Sequence, residues 1–292
     1  MLAMTRLRAV KTMRALFIFF LVFLACLFVS NGSLLAGENH STIIKGRWEA
    51  SDTLLFQVGE ELTYNVRYAF IDIGQVRIKI AEKVIENGKA IYKAIAYIDS
   101  YRGVPFVDLH TIYETKIASP ICSEWFRART KDDSKWWHIT YTLDYLKREM
   151  EVQKGEFGAS SVEKVEKLTL DTIYQDGLSL FYYARANVKQ RKNSSVPTII
   201  QEQKVSTHLN FLNERTTEEI DAVDYPIDVI HFDGRADFVG IFGLTGDFEG
   251  WFSNDEARVP ILAKMKVLIG NVTIELMKWN RTGWTPPRGE DD

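Results

Sequence analysis

Cysteine is nearly absent from this sequence. Its 292 residues include two, Cys26 and Cys122, and Cys26 lies inside an apolar N-terminal run. If that run is removed, one cysteine remains. It can form no internal disulfide and cannot hold a zinc ion or an iron–sulfur cluster alone. The body must therefore be stable on its apolar core, and Cys122 reads as a small buried hydrophobe. Histidine is also scarce. His40, His110, His138, His208 and His231 are scattered, none lies three to five residues from another, and no HExxH occurs. His138 and His208 fall on the polar side of alternating runs and read as solvent-facing. No metal and no other cofactor is expected.

Catalytic signatures are missing as well. There is no GxSxG, no Walker loop and no GxGxxG. The paired carboxylates Asp132-Asp133 and Glu218-Glu219 read as solvated charge, because a general acid needs a dry pocket. No catalytic residue is assigned. Asp255 and Arg258 precede Pro260 and read as a turn held by an ion pair or a side-chain cap. A basic block is absent too. The whole chain carries −3, so setting aside the four positive charges of the first 36 residues leaves −7. That balance argues against nucleic acid as a partner.

The N-terminus has the order of an export signal: Arg6, Arg8, Lys11 and Arg14, then the apolar run Ala15 to Ser30, then small and polar residues. The run is shorter than the about 20 residues of a full span. Residues 1–36 are read as a signal peptide cut after Gly32 or Ala36, or else as an uncleaved anchor in contact with the membrane. Lipidation at Cys26 is a third option, against which stand Phe23 and the apolar residues that follow. The expected location is the periplasm of a Gram-negative bacterium, or a membrane anchor facing it.

Alternation fills the rest. Leu62, Tyr64, Val66, Tyr68 and Phe70 alternate with polar residues, and a turn is expected at Asp72 to Gly74 before Val76, Ile78 and Ile80. Asn87-Gly88 marks a hairpin turn. Further alternating runs start at Trp137 and Val205. Trp251 to Trp279 ends in a hairpin around Gly270-Asn271. Helix is expected once, beginning at Asp176, with Leu178, Phe181, Tyr182 and Arg185 on one face. Lys189–Pro197 and Asp233–Gly250 read as loops, and residues 282–292 as a polar, solvated tail. The expected fold is mainly β: one domain over residues 45–281, a single curved and largely antiparallel sheet, half-barrel or open barrel, with one short helix.

Aromatic residues are plentiful. A curved sheet could hold an apolar or amphiphilic ligand among Trp125, Trp137, Tyr141, Tyr182, Phe242 and Trp251, or those rings could fill the core.

Two stretches carry a family resemblance. Phe56 to Ile80 has F-x-x-G-E-x-L-x-Y and then a glycine, at Phe56, Gly59, Glu60, Leu62, Tyr64 and Gly74. Trp251 to Leu276 has W-x-S-x-D-x-x-R-x-P and a glycine hairpin, at Trp251, Ser253, Asp255, Arg258, Pro260 and Gly270. Together with the segment Asp176 to Arg185, they resemble the bacterial exported family called domain of unknown function 3108. The resemblance implies compartment and fold and no activity, and its motif residues read as structural. A more distant, architectural likeness is to periplasmic lipoprotein carriers of the LolA and LolB type. The leading expectation is a non-enzymatic envelope protein that binds a lipid or amphiphile, or an envelope protein partner. The alternatives are a scaffold of envelope assembly with a filled core, and a polymer hydrolase using Asp133, Asp255 or Glu249.

Overall fold

The computed structural model describes residues 54–104, 108–159, 163–236, 246–266 and 271–290. All of them belong to one of two compact units of the chain. Residues 1–36, Phe242 and Gly270 lie outside them. The described strands are β1 (Glu61–Tyr68), β2 (Ile71–Glu86), β3 (Lys89–Ser100), β4 (His110–Ala118) and β5 (Cys122–Asp132). Next come β6 (Lys135–Asp144), β7 (Glu149–Glu156) and β8 (Lys164–Thr169). After helix α1 (Ser179–Asn187) follow β9 (Lys192–Ile200), β10 (Gln203–Glu218), β11 (Ile227–Ala236), β12 (Gly246–Ser253), β13 (Pro260–Lys266) and β14 (Asn271–Asn280).

The strands form one sheet in the order β8-β7-β6-β5-β4-β3-β2-β1-β14-β13-β12-β11-β10-β9. Every ladder is antiparallel. The single neighbour pair not consecutive in sequence is β1 with β14, so the sheet is two meanders joined at the chain's two ends. It stays open between β8 and β9, and the segment crossing that gap contains α1.

The sheet curls strongly. Flat, β6 and β10 would stand about 48 Å apart, ten strand spacings. Yet Glu202, in the turn between β9 and β10, donates its backbone N–H to the Tyr141 hydroxyl of β6 at 3.0 Å. It also forms an ion pair with Lys154 of β7. The segment before α1 bridges the two sides. Ser123 N donates to Tyr174 O at 3.2 Å, Gln175 N to Pro197 O at 2.9 Å, and Ile199 N to Gln175 O at 2.8 Å. Side chains and one bridging segment thus do what a β8–β9 ladder would do in a closed barrel.

Helix α1 fills the enclosed face. Leu178 and Tyr182 pack with residues of β1, β2, β3 and β4, among them Tyr64, Ile80, Tyr92 and Ile117. Ala184 and Val188 pack with Val196, Leu209, Phe211, Ile230, Phe232 and Phe252 from β9 to β12. The helix begins at Ser179 with Leu178 at its N-cap, so Asp176, read as the cap, instead holds the turn that leads into it. The Asp176 carbonyl accepts from Leu180 N, and its Oδ1 accepts from Leu178 N at 2.7 Å and Ser179 N at 2.9 Å. The helix is too short to persist alone, so this packing holds it.

Several expectations are corrected. The first turn is at Ala69-Phe70, where Ala69 has φ 52° and Phe70 is 88% exposed. Asp72 to Gly74 instead lies in β2, where Asp72 accepts from Asn65 at 2.7 Å and from Arg67 at 2.9 Å. Lys192 to Pro197 is not loop but the edge strand β9. Proline is tolerated there because no ladder needs its N–H on the free side, and its carbonyl accepts from Gln175. Asp233–Ala236 and Gly246–Gly250 are also strand. Cross-strand pairs Phe232↔Gly250 and Gly234↔Phe248 explain the glycines, since each aromatic ring lies over the facing glycine. A methyl at Gly250 meets the Phe232 ring, so Gly250→Ala is expected to cost about 1–3 kcal/mol by overpacking. Urea melts would register it, and an unchanged midpoint would mean that the ring is free to move. Pro260, read from the sequence as the entry to an edge strand, opens β13, which is an inner strand because it pairs with both β12 and β14. The solvated tail is tied down through residue 289. Pro287 O accepts from Asp228 N at 2.9 Å, Pro226 O from Gly289 N at 2.8 Å, and Pro286 O from the Tyr225 hydroxyl at 3.0 Å.

Candidate functional site

Several of the motif residues, Glu60, Tyr64, Ser253, Asp255, Arg258 and Pro260, meet around Arg185 of α1. Gly59 has φ +89°, a left-handed turn suited to glycine. Its N–H donates to Ile80 O at 2.9 Å, and Glu60 O accepts from Ile80 N at 3.0 Å. This turn aims the Glu60 side chain inward, where it is 1% exposed. Arg185, in the last turn of α1, is completely buried. Its Nη1 and Nη2 donate to the two Glu60 oxygens at 2.6 and 2.8 Å, and its Nε donates to Ala257 O at 2.8 Å. Arg281 also donates to Glu60, and through Nη2 to Leu54 O at 2.6 Å.

The closing motif builds the other wall. Asp255 Oδ1 accepts from Ala257 N, Arg258 N and the Ser253 hydroxyl, each at 2.9 Å. Its Oδ2 accepts from Trp284 Nε1 at 2.6 Å. Ser253 Oγ accepts from Val259 N at 2.8 Å. Together they hold Arg258 at φ 46°, a conformation a non-glycine residue rarely takes. Arg258 Nη1 donates to Ala186 O at 2.9 Å, at the negative end of the helix. The Tyr64 hydroxyl donates to Pro260 O at 3.2 Å. The opening motif, the helix and the closing motif therefore form one hydrogen-bonded cluster. Asp255 acts as a turn cap, one of the two structural roles expected for it.

A buried carboxylate shared by two guanidiniums lies between competing effects. Burial raises the Glu60 pKa, but the charge and hydrogen bonds of Arg185, and then of Arg281, outweigh it and leave it below its ordinary 4.5. A depressed carboxyl contributes stability above its unfolded value and loses it as pH falls through the folded one. Stability is thus expected to fall on acidification below about pH 5. This part of the acid limb should be missing in Glu60→Gln, compared by urea melts across pH. Asp176 acts in the opposite sense. Burial raises its pKa from 3.8, ahead of the Thr115 hydroxyl bond at 2.5 Å. Its protonated form favours the fold, and its ionisation costs stability as pH rises.

The aromatic candidates do not share one wall. Tyr141 is 2% exposed and stacks on Phe126 at 5.5 Å. Tyr182 is 1% exposed and stacks on Phe56 at 5.0 Å, which stacks on Tyr92 at 4.6 Å. Trp251 is 6% exposed, on the face away from Gly250, with His231 at 5.2 Å and Lys264 Nζ at 4.6 Å from its ring. Trp125, next to the inward Phe126, points to the outer face under Arg127 at 5.1 Å. Trp137 sits at an exposed strand end. Arg281 and Trp284 went unforeseen in the sequence. They border an open depression of about 520 Å³ with Leu54, Gln57, Asp255 and Thr282. Among the described residues, no group of three or more His, Cys, Asp and Glu is arranged to hold a metal ion.

No curated protein matches the sequence. The chain is similar to a solved β-barrel-like protein of domain of unknown function DUF1849 from Brucella abortus. Identity is 10% and the TM-score 0.46, covering 76% of this chain and 96% of that one. It is also similar to a putative exported protein with a YmcC-like fold from Bacteroides fragilis NCTC 9343, at 6% identity and TM-score 0.30, covering 77% and 97%. A family model described as protein of unknown function, DUF3108, matches residues 63–277, a span holding Tyr64, Arg185, Asp255 and Arg258 of the cluster, and the chain belongs to that family.

Proposed function

We propose that the protein is an exported, non-enzymatic envelope protein that binds at its surface and keeps a filled core. The observation behind this reading is the position of α1. The face that would carry an internal ligand is occupied by the helix, with Tyr182 stacked on Phe56. This favours the scaffold alternative over an internal carrier, and the architectural likeness to lipoprotein carriers adds no support. The apolar part of an amphiphile keeps a place at the open depression beside Arg281 and Trp284, where a cation and an indole ring lie together. Delipidated protein mixed with an envelope lipid extract is the test, read by native mass spectrometry and melting temperature. The filled core predicts that no phosphate-free lipid survives the substitution Trp284→Ala. Phosphate-free lipid retained equally by both proteins, with a raised melting temperature, would restore the internal carrier.

A further inference from the structure

A second cluster lies on the outer face of β3, β4 and β5, away from the motif residues. Glu114 of β4 is buried, and one of its oxygens takes two hydrogen bonds and a further ion pair. Arg127 Nε and Nη2 reach Oε2 at 3.0 and 2.7 Å, and Arg129 Nη2 reaches it at 3.0 Å. Lys93 of β3 stands 3.7 Å from Oε1. Arg127 and Arg129 are two apart in β5 and so share one face. For both guanidiniums, Glu114 is the one carboxylate within ion-pair distance among the described residues. Glu82 lies 3.7 Å from Lys93 on its far side. Three cations thus stand against two carboxylates, and the imbalance falls on the arginine pair.

The surroundings make that imbalance expensive. Phe157 lies over both guanidiniums, with its ring centre 5.3 Å from Arg127 and 4.9 Å from Arg129. Trp125 lies against Arg127 from another side. The register puts Thr140 and His138 of β6 beside them, so no acid faces them from that strand. Arg129 Nε is buried with no acceptor among the described residues. Partly desolvated positive charge draws an anion, and a guanidinium fork fits a tetrahedral oxyanion in two-point contact. The neighbouring groups respond as such a field requires. Burial raises Glu114, but the Arg127 hydrogen bond and the surrounding cations hold it below its ordinary value. Burial, and then the Arg127 charge, lower His138.

We propose that Arg127, Arg129 and Lys93 form a binding site for a phosphate group on the outer face of the sheet. The ligand is a phosphate, free or borne by a lipid, held by the outer edges of the two guanidiniums and by the ammonium. The site does not depend on the filled-core reading.

Two probes test it: inorganic phosphate by titration calorimetry at low salt, and sedimentation with phosphatidylcholine vesicles with and without phosphatidic acid. Saturable binding is expected, weakened roughly tenfold by Arg129→Gln, the loss of one charge-assisted contact. Lys93→Gln, which leaves both arginines on Glu114, should weaken it several-fold. Lys147→Gln, in the exposed turn between β6 and β7, should leave it unchanged. Binding of free phosphate alone supports a soluble ligand, and binding of the phosphatidic acid vesicles supports a lipid headgroup. The proposal is overturned if the wild-type protein binds neither probe, or if Lys147→Gln weakens binding as much as Arg129→Gln. It is equally overturned if a folded Arg129→Gln binds like wild type. Should Arg129→Gln fail to fold, an unaltered affinity in Lys93→Gln overturns it.

Discussion

Replacing Glu60 with alanine is expected to lower the unfolding free energy by about 3–5 kcal/mol. Arg185 has no exposed surface, and Glu60 supplies both of its charged partners. Without the carboxylate, a guanidinium stays in the core with only the Ala257 carbonyl to satisfy it. Arg281 loses its carboxylate in the same step but keeps the Leu54 carbonyl. Arg185 joins the helix to both the opening turn and the closing turn, so the loss spreads beyond one contact. Protection of the α1 amides against hydrogen exchange should fall in Glu60→Ala. Protection of β6 and β7, which lie away from the cluster, should fall less. Equal melts for wild type and Glu60→Ala would show that the pair is solvated and not buried.

Trp251→Ala carries a comparable expected loss, about 3–5 kcal/mol, from deleting a buried indole. Trp251 stands on the middle of three strands, opposite His231 on β11 and Leu262 on β13. Its ring also carries the Lys264 ammonium on one side. The cavity left behind would sit on the outer face, where neighbouring side chains can partly collapse into it, so Trp251→Phe should recover much of the loss. Thermal melts of the two variants decide it, and a melting temperature unchanged in Trp251→Ala would refute burial.

The alternation of apolar residues was enough to read the sheet, because one face of nearly every strand is packed and the other wet. Asn87-Gly88 was legible for the same local reason, with φ 51° and 77° at the two turn positions. Strand β9 was hidden by Asn193, Ser194, Ser195 and Pro197, residues typical of loops that an edge strand tolerates. The end of β11 and the start of β12 were hidden by glycines whose missing side chains are supplied by phenylalanines across the ladder. The site was half legible. Asp176 marked the turn before the helix, two residues ahead of the N-cap Leu178, and Arg185 on an otherwise apolar helix face was a sign that a buried charge needed a partner. That the partner is Glu60, 125 residues earlier, is a matter of tertiary geometry that no local pattern carries. Arg281 and Trp284 lie beyond the last alternating run, and nothing in their neighbourhood signals docking. The indole of Trp284 turns out to cap Asp255 and to stand edge-on to Trp279 at 5.9 Å.

A double-mutant cycle on Glu60→Gln and Arg185→Met tests most directly whether the distant motifs act as one buried cluster. The double variant is expected to be more stable than the two single losses would give, with a coupling of about 0.5–3 kcal/mol. Losses that simply add, to within roughly 0.3–0.5 kcal/mol, would contradict the coupling and with it the role of the cluster in fixing the helix inside the sheet.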